Sequence, residues 1–142
     1  MTIQEIEEQI IDEFAVFEDW MDKYNYLIDM GKSLPIIDDK YRDNNHLISG
    51  CQSRVWLHST FENGKLKFSA DSDAVITKGL VYLLIRVLNN QSPDDILEAR
   101  LDFLEQIGLK EHLSPTRSNG LMSMIKQIKL YAMAFKAKSD IS

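Results

Sequence analysis

Asn63-Gly64 stands between two runs in which apolar and polar residues alternate, Val55 to Glu62 and Lys65 to Ala70. An Asn-Gly pair readily takes the two positive-φ positions of a type I′ turn, whose twist matches that of the flanking strands. The segment therefore predicts a hairpin, with Val55, Leu57 and Phe61 on one face and Trp56, His58 and Thr60 on the other. On the return, Leu66 and Phe68 face together. Two strands alone are marginal in water, so this hairpin needs a third strand or covering helices. The short run His46, Leu47 and Ile48 is the remaining candidate strand.

The rest of the chain reads as helix. Thr2-Ile3-Gln4-Glu5 spells a capping box, and Ile3, Ile6, Ile10, Phe14 and Phe17 recur at helical spacing, predicting a helix to about Phe17. A second helix follows from about Asp19, with Trp20, Tyr24, Leu27 and Ile28 on one side, Gly31 at the place of a left-handed cap, and Leu34-Pro35 as a stop. The segment DSDAVITKGLVYLLIRVLNN, 71 to 90, opens with carboxylates and a serine suited to a helix start and continues as the most apolar helix. Ser92-Pro93 opens a helical region ending near Gly108. Ser118 is placed to cap a last helix with an apolar stripe of Leu121, Met122, Ile125, Ile128, Ala132 and Phe135. These elements predict an α+β fold, one domain over residues 1–142, long enough to bury a core without disulfides.

Composition narrows the function classes. A net charge of −6, with 16 Lys+Arg spread through the chain against 22 Asp+Glu, argues against a nucleic-acid partner. The start MTIQEIEE lacks a secretory signal, and the longest apolar run, LVYLLI, is too short to span a bilayer. A cytoplasmic location and no membrane partner are expected. A single cysteine, Cys51, forbids an intrachain disulfide, so it serves either packing or chemistry.

Its context favours chemistry. Gly50 permits backbone angles closed to other residues, so Gly50-Cys51 can turn sharply and present the sulfur. Arg54 and neighbouring amides are placed to stabilise a thiolate, and Arg54→Gln is expected to raise the Cys51 pKa. A cysteine-dependent hydrolase or transferase would need a base from among His46, which at five residues before Cys51 could reach the sulfur, and His58 and His112, for which a solvated imidazole is the ordinary reading. A metal or cluster scaffold would need more ligands than the spacing offers, since no CxxC or HxxxH is present. A lone thiol without a base suits sulfur exchange with a partner that supplies the activated atom.

Residues 50–56, GCQSRVW, resemble the active loop of the SufE family, sulfur acceptors that activate PLP-dependent cysteine desulfurases in iron–sulfur cluster assembly. Three further blocks agree in family order: Trp20-x-x-Lys23-Tyr24-x-x-Leu27-Ile28-x-x-Gly31-x-x-Leu34-Pro35, DSDAVITKGL at 71–80, and LSPTRSNGLMSMI at 113–125. The resemblance implies a small three-stranded antiparallel sheet flanked by helices, similar to the IscU-type scaffold proteins. It implies that Cys51 accepts sulfur from a desulfurase of the SufS or CsdA type, carries it as a persulfide and passes it to an iron–sulfur scaffold. Gly50, Gln52 and Ser53 would shape the loop. Asp73 and Arg117 match polar positions near it, although a helix cap and a surface charge are their ordinary readings. The chain would hold no metal and no PLP of its own, the PLP belonging to the desulfurase, and would be a monomer or weak homodimer. Arg54 stands where many relatives carry Gln, and Ala70 where glycine is common. The family shelters the sulfur in the free protein, and Leu47, Ile48, Val55 and Trp56 are placed either to provide that shelter or, equally, to pack in the core.

Overall fold

The hairpin is the centre of the computed structural model, which describes residues 1–141. Ser142, the last residue of the expected domain, lies outside the described residues. β1 (Val55–Glu62) pairs antiparallel with β2 (Lys65–Ser72), in register from Val55↔Ser72 to Glu62↔Lys65. Asn63 at φ 54° and Gly64 at φ 78° close the two-residue turn, as the Asn-Gly pair predicts. Val55, Leu57, Leu66, Phe68 and Ala70 bury one face of the hairpin.

Among the described residues the sheet has two strands, which corrects the expected three. The run at 46–48 contributes an isolated antiparallel bridge, Leu47 to Trp56. The Ile48 amide donates to the Val55 carbonyl and the Leu57 amide to the His46 carbonyl, each at 2.9 Å. The chain reaches this edge from a turn at 44–45 and leaves it at Gly50, φ +91°, so it runs beside β1 for too few residues to form a ladder.

Helices supply the cover that two strands require. α1 (Ile3–Ala15) starts at the predicted capping box, with the Glu5 amide donating to Thr2 Oγ1 at 3.1 Å and the Thr2 amide to Glu5 Oε1 at 3.0 Å. α2 (Trp20–Gly31) starts at Asp19, whose carboxylate accepts from the Met21 amide. α3 (Val75–Leu88) is buried along most of its length. The region expected after Ser92 breaks into α4 (Pro93–Glu98), α5 (Phe103–Gln106) and α6 (Leu109–His112). α7 (Pro115–Ile141) begins ahead of the expected Ser118. Pro115 takes the first helical position, and Ser114 Oγ accepts from the Arg117 amide at 3.2 Å. Its buried stripe is Leu121, Met124, Ile128 and Ala132, and Met122, expected inside, is exposed.

Gly31 also departs from expectation: it is helical, with no positive φ. Its value is steric. A Cβ built on Gly79 of α3 would stand 2.4 Å from the Leu27 carbonyl oxygen, and one on Gly31 would stand 3.0 Å from the Gly79 nitrogen. The two glycines thus let α2 and α3 touch backbone to backbone. Glu13 of α1 ties this pair further: it receives both guanidinium nitrogens of Arg86 and the hydroxyl of Tyr26. Burial, and then the Glu13 carboxylate, push the Tyr26 pKa up to about 12. Glu13 itself is held below the usual carboxylate range, chiefly by its hydrogen bonds from Arg86.

Because the Leu27 carbonyl is rigid helix backbone, Gly79→Ala is expected to cost about 1–3 kcal/mol, the range of overpacking substitutions. Urea unfolding should report it as a lower midpoint at unchanged slope.

Candidate functional site

Cys51 sits on a loop whose two ends are fixed by β1 and whose tip is pressed onto α7. Gly50 is required here on two counts. Its φ of +91° disfavours a side chain, and a Cβ on it would stand 2.4 Å from Ser123 Oγ of α7. The next residue turns its sulfur the same way: Cys51 Sγ lies 3.5 Å from the Gly120 carbonyl oxygen, within reach of a weak S–H hydrogen bond. Gly120 lies alongside, where an added Cβ would stand at ordinary contact distance, 3.6 Å from Sγ.

The thiol is therefore partly buried and opens into a cavity of about 270 Å³. Loop residues Cys51, Gln52 and Ser53 form one wall; Thr77 and Leu80 of α3, and Gly120 and Met124 of α7, form the others. Ser114, Thr116 and Arg117, at the start of α7, complete the lining. The shelter thus comes from α3 and α7. The expected neighbours play another part, Ile48 and Val55 being core residues beneath the loop.

The sequence-derived residues separate into two groups. Cys51, Gln52, Ser53 and Arg117 meet at the cavity. Arg54 and Asp73 meet at the foot of the loop, where Asp73 Oδ1 accepts from the Arg54 amide at 3.1 Å and the Asp73 amide donates to the Arg54 carbonyl at 3.3 Å. The helix-cap reading of residues 71–73 is displaced as well. Ala74 caps α3 without a side-chain bond, while Asp71 pairs with Arg42 and Lys78. Thr77, Gly120 and Met124 went unread as site residues. The signal available for Gly120 was a glycine within a helical segment, where it is unfavourable unless something approaches closely.

Burial pushes the Cys51 thiol above its ordinary pKa. That direction is opposite to the one expected from Arg54, whose exposed side chain stands at the loop foot. At neutral pH the thiol so placed is protonated and poorly nucleophilic. None of the three histidines lines the cavity. His46 and His58 face one another beside β1, and His112 stacks on Trp20 at 3.9 Å. Among the described residues, no three His, Cys, Asp or Glu side chains gather to hold a metal ion, and no helix is long and apolar enough to cross a membrane.

Two outcomes follow for Cys51 alkylation. Its rate should rise with pH along a curve displaced above the ordinary cysteine range, and unfolding the chain should return the curve to that range. Asp73→Ala removes one tie at the loop foot, worth about 1 kcal/mol, and should raise the alkylation rate at neutral pH by about fivefold.

Residues 8–132 match the family model described as SufE, Fe-S metabolism associated domain. An uncharacterised SufE-like protein of Rhizobium meliloti is 42% identical, over 86% of this chain and 91% of its own length. The chloroplastic/mitochondrial SufE-like protein 1 of Arabidopsis thaliana is 34% identical over 94% of this chain, which spans 36% of that longer protein. In three dimensions the chain is similar to a hypothetical protein from Thermus thermophilus whose solution structure is known. The TM-score is 0.75 at 21% identity, over 91% of this chain and 94% of the other, a likeness of fold.

Proposed function

The chain belongs to the SufE family, an Fe-S metabolism associated family, and on that premise we propose that Cys51 accepts sulfur from a PLP-dependent cysteine desulfurase and delivers it to iron–sulfur cluster assembly. The observation that carries this reading is the seating of the thiol: one cysteine on a tied loop, turned into a cavity beside the start of α7. A hydrolytic cysteine would want a base at the sulfur, and no histidine stands in that cavity.

The transfer needs little from this chain. The Cys51 thiolate attacks the outer sulfur of the partner's cysteine persulfide, a new S–S bond forms at Cys51, and the old S–S bond breaks to release the partner's thiolate. The sulfane sulfur passes over without external oxidant or reductant. The proton lost from Cys51 is balanced by the one the departing thiolate can take up. Loop lifting then sets the rate, because it removes the burial that holds the thiol neutral. Once loaded and closed, the loop would set the extra sulfur in the cavity, away from free thiols that would strip it and oxidants that would degrade it. Arg117 and the first turn of α7 bring positive potential to that rim, which favours the sulfur anion. Delivery repeats the exchange toward an acceptor thiol on the recipient. Stimulation of the desulfurase follows from removal of its persulfide, which frees its own cysteine for another cycle.

The direct test mixes the protein with a cysteine desulfurase and free cysteine and weighs it. The expected result is a gain of about 32 Da, one sulfur atom, localised to Cys51 and absent in Cys51→Ser. An unmodified Cys51 in a mixture where the desulfurase is turning over would overturn the proposal. Gly120→Ala separates function from stability. The substitution should raise helix stability by up to about 1 kcal/mol, yet slow sulfur loading, because the added methyl group, at contact distance from Sγ, takes up cavity space that the second sulfur would enter.

A further inference from the structure

Outside the cavity, three ionisable side chains form a line beside the stem of the cysteine loop. His46 Nδ1 lies 2.7 Å from Asp43 Oδ1, and His46 Nε2 lies 3.2 Å from Nδ1 of His58 on β1. Asp43 also accepts from the His46 amide at 3.1 Å, which fixes the residue's backbone as well as its ring. Tyr41 stacks on His58 at 3.7 Å between centroids and 12° between planes. The backbone of this same stretch makes the ties that hold the loop stem to β1, the Leu57 amide on the His46 carbonyl and the Ile48 amide on the Val55 carbonyl.

We propose that the Asp43–His46–His58 array is a proton-operated latch on the cysteine loop, closed while the imidazole pair holds at most one extra proton and opened by the second.

The reason is the single space between Nε2 and Nδ1. With His46 donating from Nδ1 to Asp43, the two facing nitrogens share one hydrogen. In the neutral pair His58 donates to His46. In the singly protonated pair His46 donates to His58, and the Asp43 carboxylate balances the charge. A second proton puts a hydrogen on both facing nitrogens. The hydrogen bond is lost, and two imidazolium rings repel at contact distance. His58 is held in β1, whereas His46 belongs to an edge with one bridge, so the edge gives way. Its departure frees the Ile48–Val55 tie directly at the stem of the loop that carries Cys51.

The surroundings do not offset the second charge. The turn before the edge supplies Tyr41 and Lys40, whose ammonium lies over the Tyr41 ring and opposes a further cation. On the same face of β2, Ser69 stands opposite His58, flanked by Lys67 and by Asp71, which is committed to Arg42 and Lys78. From α7, the Tyr131 hydroxyl donates to the Leu57 carbonyl, and burial followed by the Asp43 charge holds that phenol above its ordinary pKa. Burial, then His46, then Lys40 push His58 below its ordinary value. The sign follows. An unfolded His58 binds its proton near pH 6.5 and the folded one only below that, so the edge is secure above this value and loses stability as pH falls.

The opening of the loop is independent of what Cys51 carries, and its use to gate sulfur exchange rests on the carrier reading. The test therefore omits sulfur transfer. Labelling of Cys51 by 4,4′-dithiodipyridine, which stays reactive toward thiols in acid, is measured between about pH 7.5 and 5. The rate for the chain in urea is divided by that for the folded chain at each pH, and the quotient is read as protection. Protection is expected to fall several-fold between those limits in the natural protein. It should be nearly flat with pH in His58→Phe, which keeps a ring against Tyr41, and in His46→Gln. Amide exchange at Ile48 and Leu57 should follow the labelling, while Leu66, bonded to Gln91 at the far end of the hairpin, stays protected. A flat profile in the natural protein, or an unchanged acid response in both variants, would overturn the latch and leave the 32 Da test of sulfur loading untouched.

Discussion

The approach of the cysteine loop to α7 is the contact on which the site depends. A backbone at positive φ lets Gly50 lie against Ser123, and the turn that follows sets Cys51 Sγ against the carbonyl of Gly120. The first contact needs a glycine, at position 50. The contact does two things at once: it partly buries the thiol, which raises its pKa, and it borders the cavity into which the sulfur opens. The same packing that raises the thiol pKa also forms the cavity wall.

The remainder of the fold holds the two sides of that contact in place. The hairpin anchors the loop through the Ile48–Val55 and Arg54–Asp73 backbone ties, and α3 covers the hairpin while contributing Thr77 and Leu80 to the cavity. α3 is positioned in turn by the Gly31–Gly79 approach to α2 and by the Glu13–Arg86 pair to α1. α7 is positioned by Leu121, Met124, Ile128 and Ala132 in the core. The cavity therefore lies between α3 and α7, and the cysteine loop forms its remaining wall.

Much of this was legible in local patterns. The Asn63-Gly64 turn, the Thr2–Glu5 capping box and the apolar run of α3 each rest on short-range physics, and each stands as read. What was misread depended on distant partners. Asp73 and Gly31 have ordinary local uses, as a cap and a helix stop, and only the fold shows that one holds the Arg54 amide and the other admits α3. The third strand failed because pairing length is set by where the chain turns on and off an edge. Ser114-Pro115 carries the same start signal as Ser92-Pro93, and Ser118 lies inside the helix that its hydroxyl suggested it would cap. Within the site, Cys51 and Gly50 were readable from the loop itself. Thr77, Gly120 and Met124 enter only through packing, because their spacing along a helix suits a core as well as a cavity.

The central claim is that the closed loop protects a sulfur destined for transfer, and the lifetime of a loaded Cys51 tests it most directly. The persulfide would be prepared on the folded protein, freed of its donor, and challenged with a small thiol, with a Cys51-containing peptide of the same sequence as reference. Slow loss from the folded protein, made fast by adding the sulfur recipient or by unfolding, is the predicted result. Loss from the folded protein as rapid as from the peptide would contradict the account.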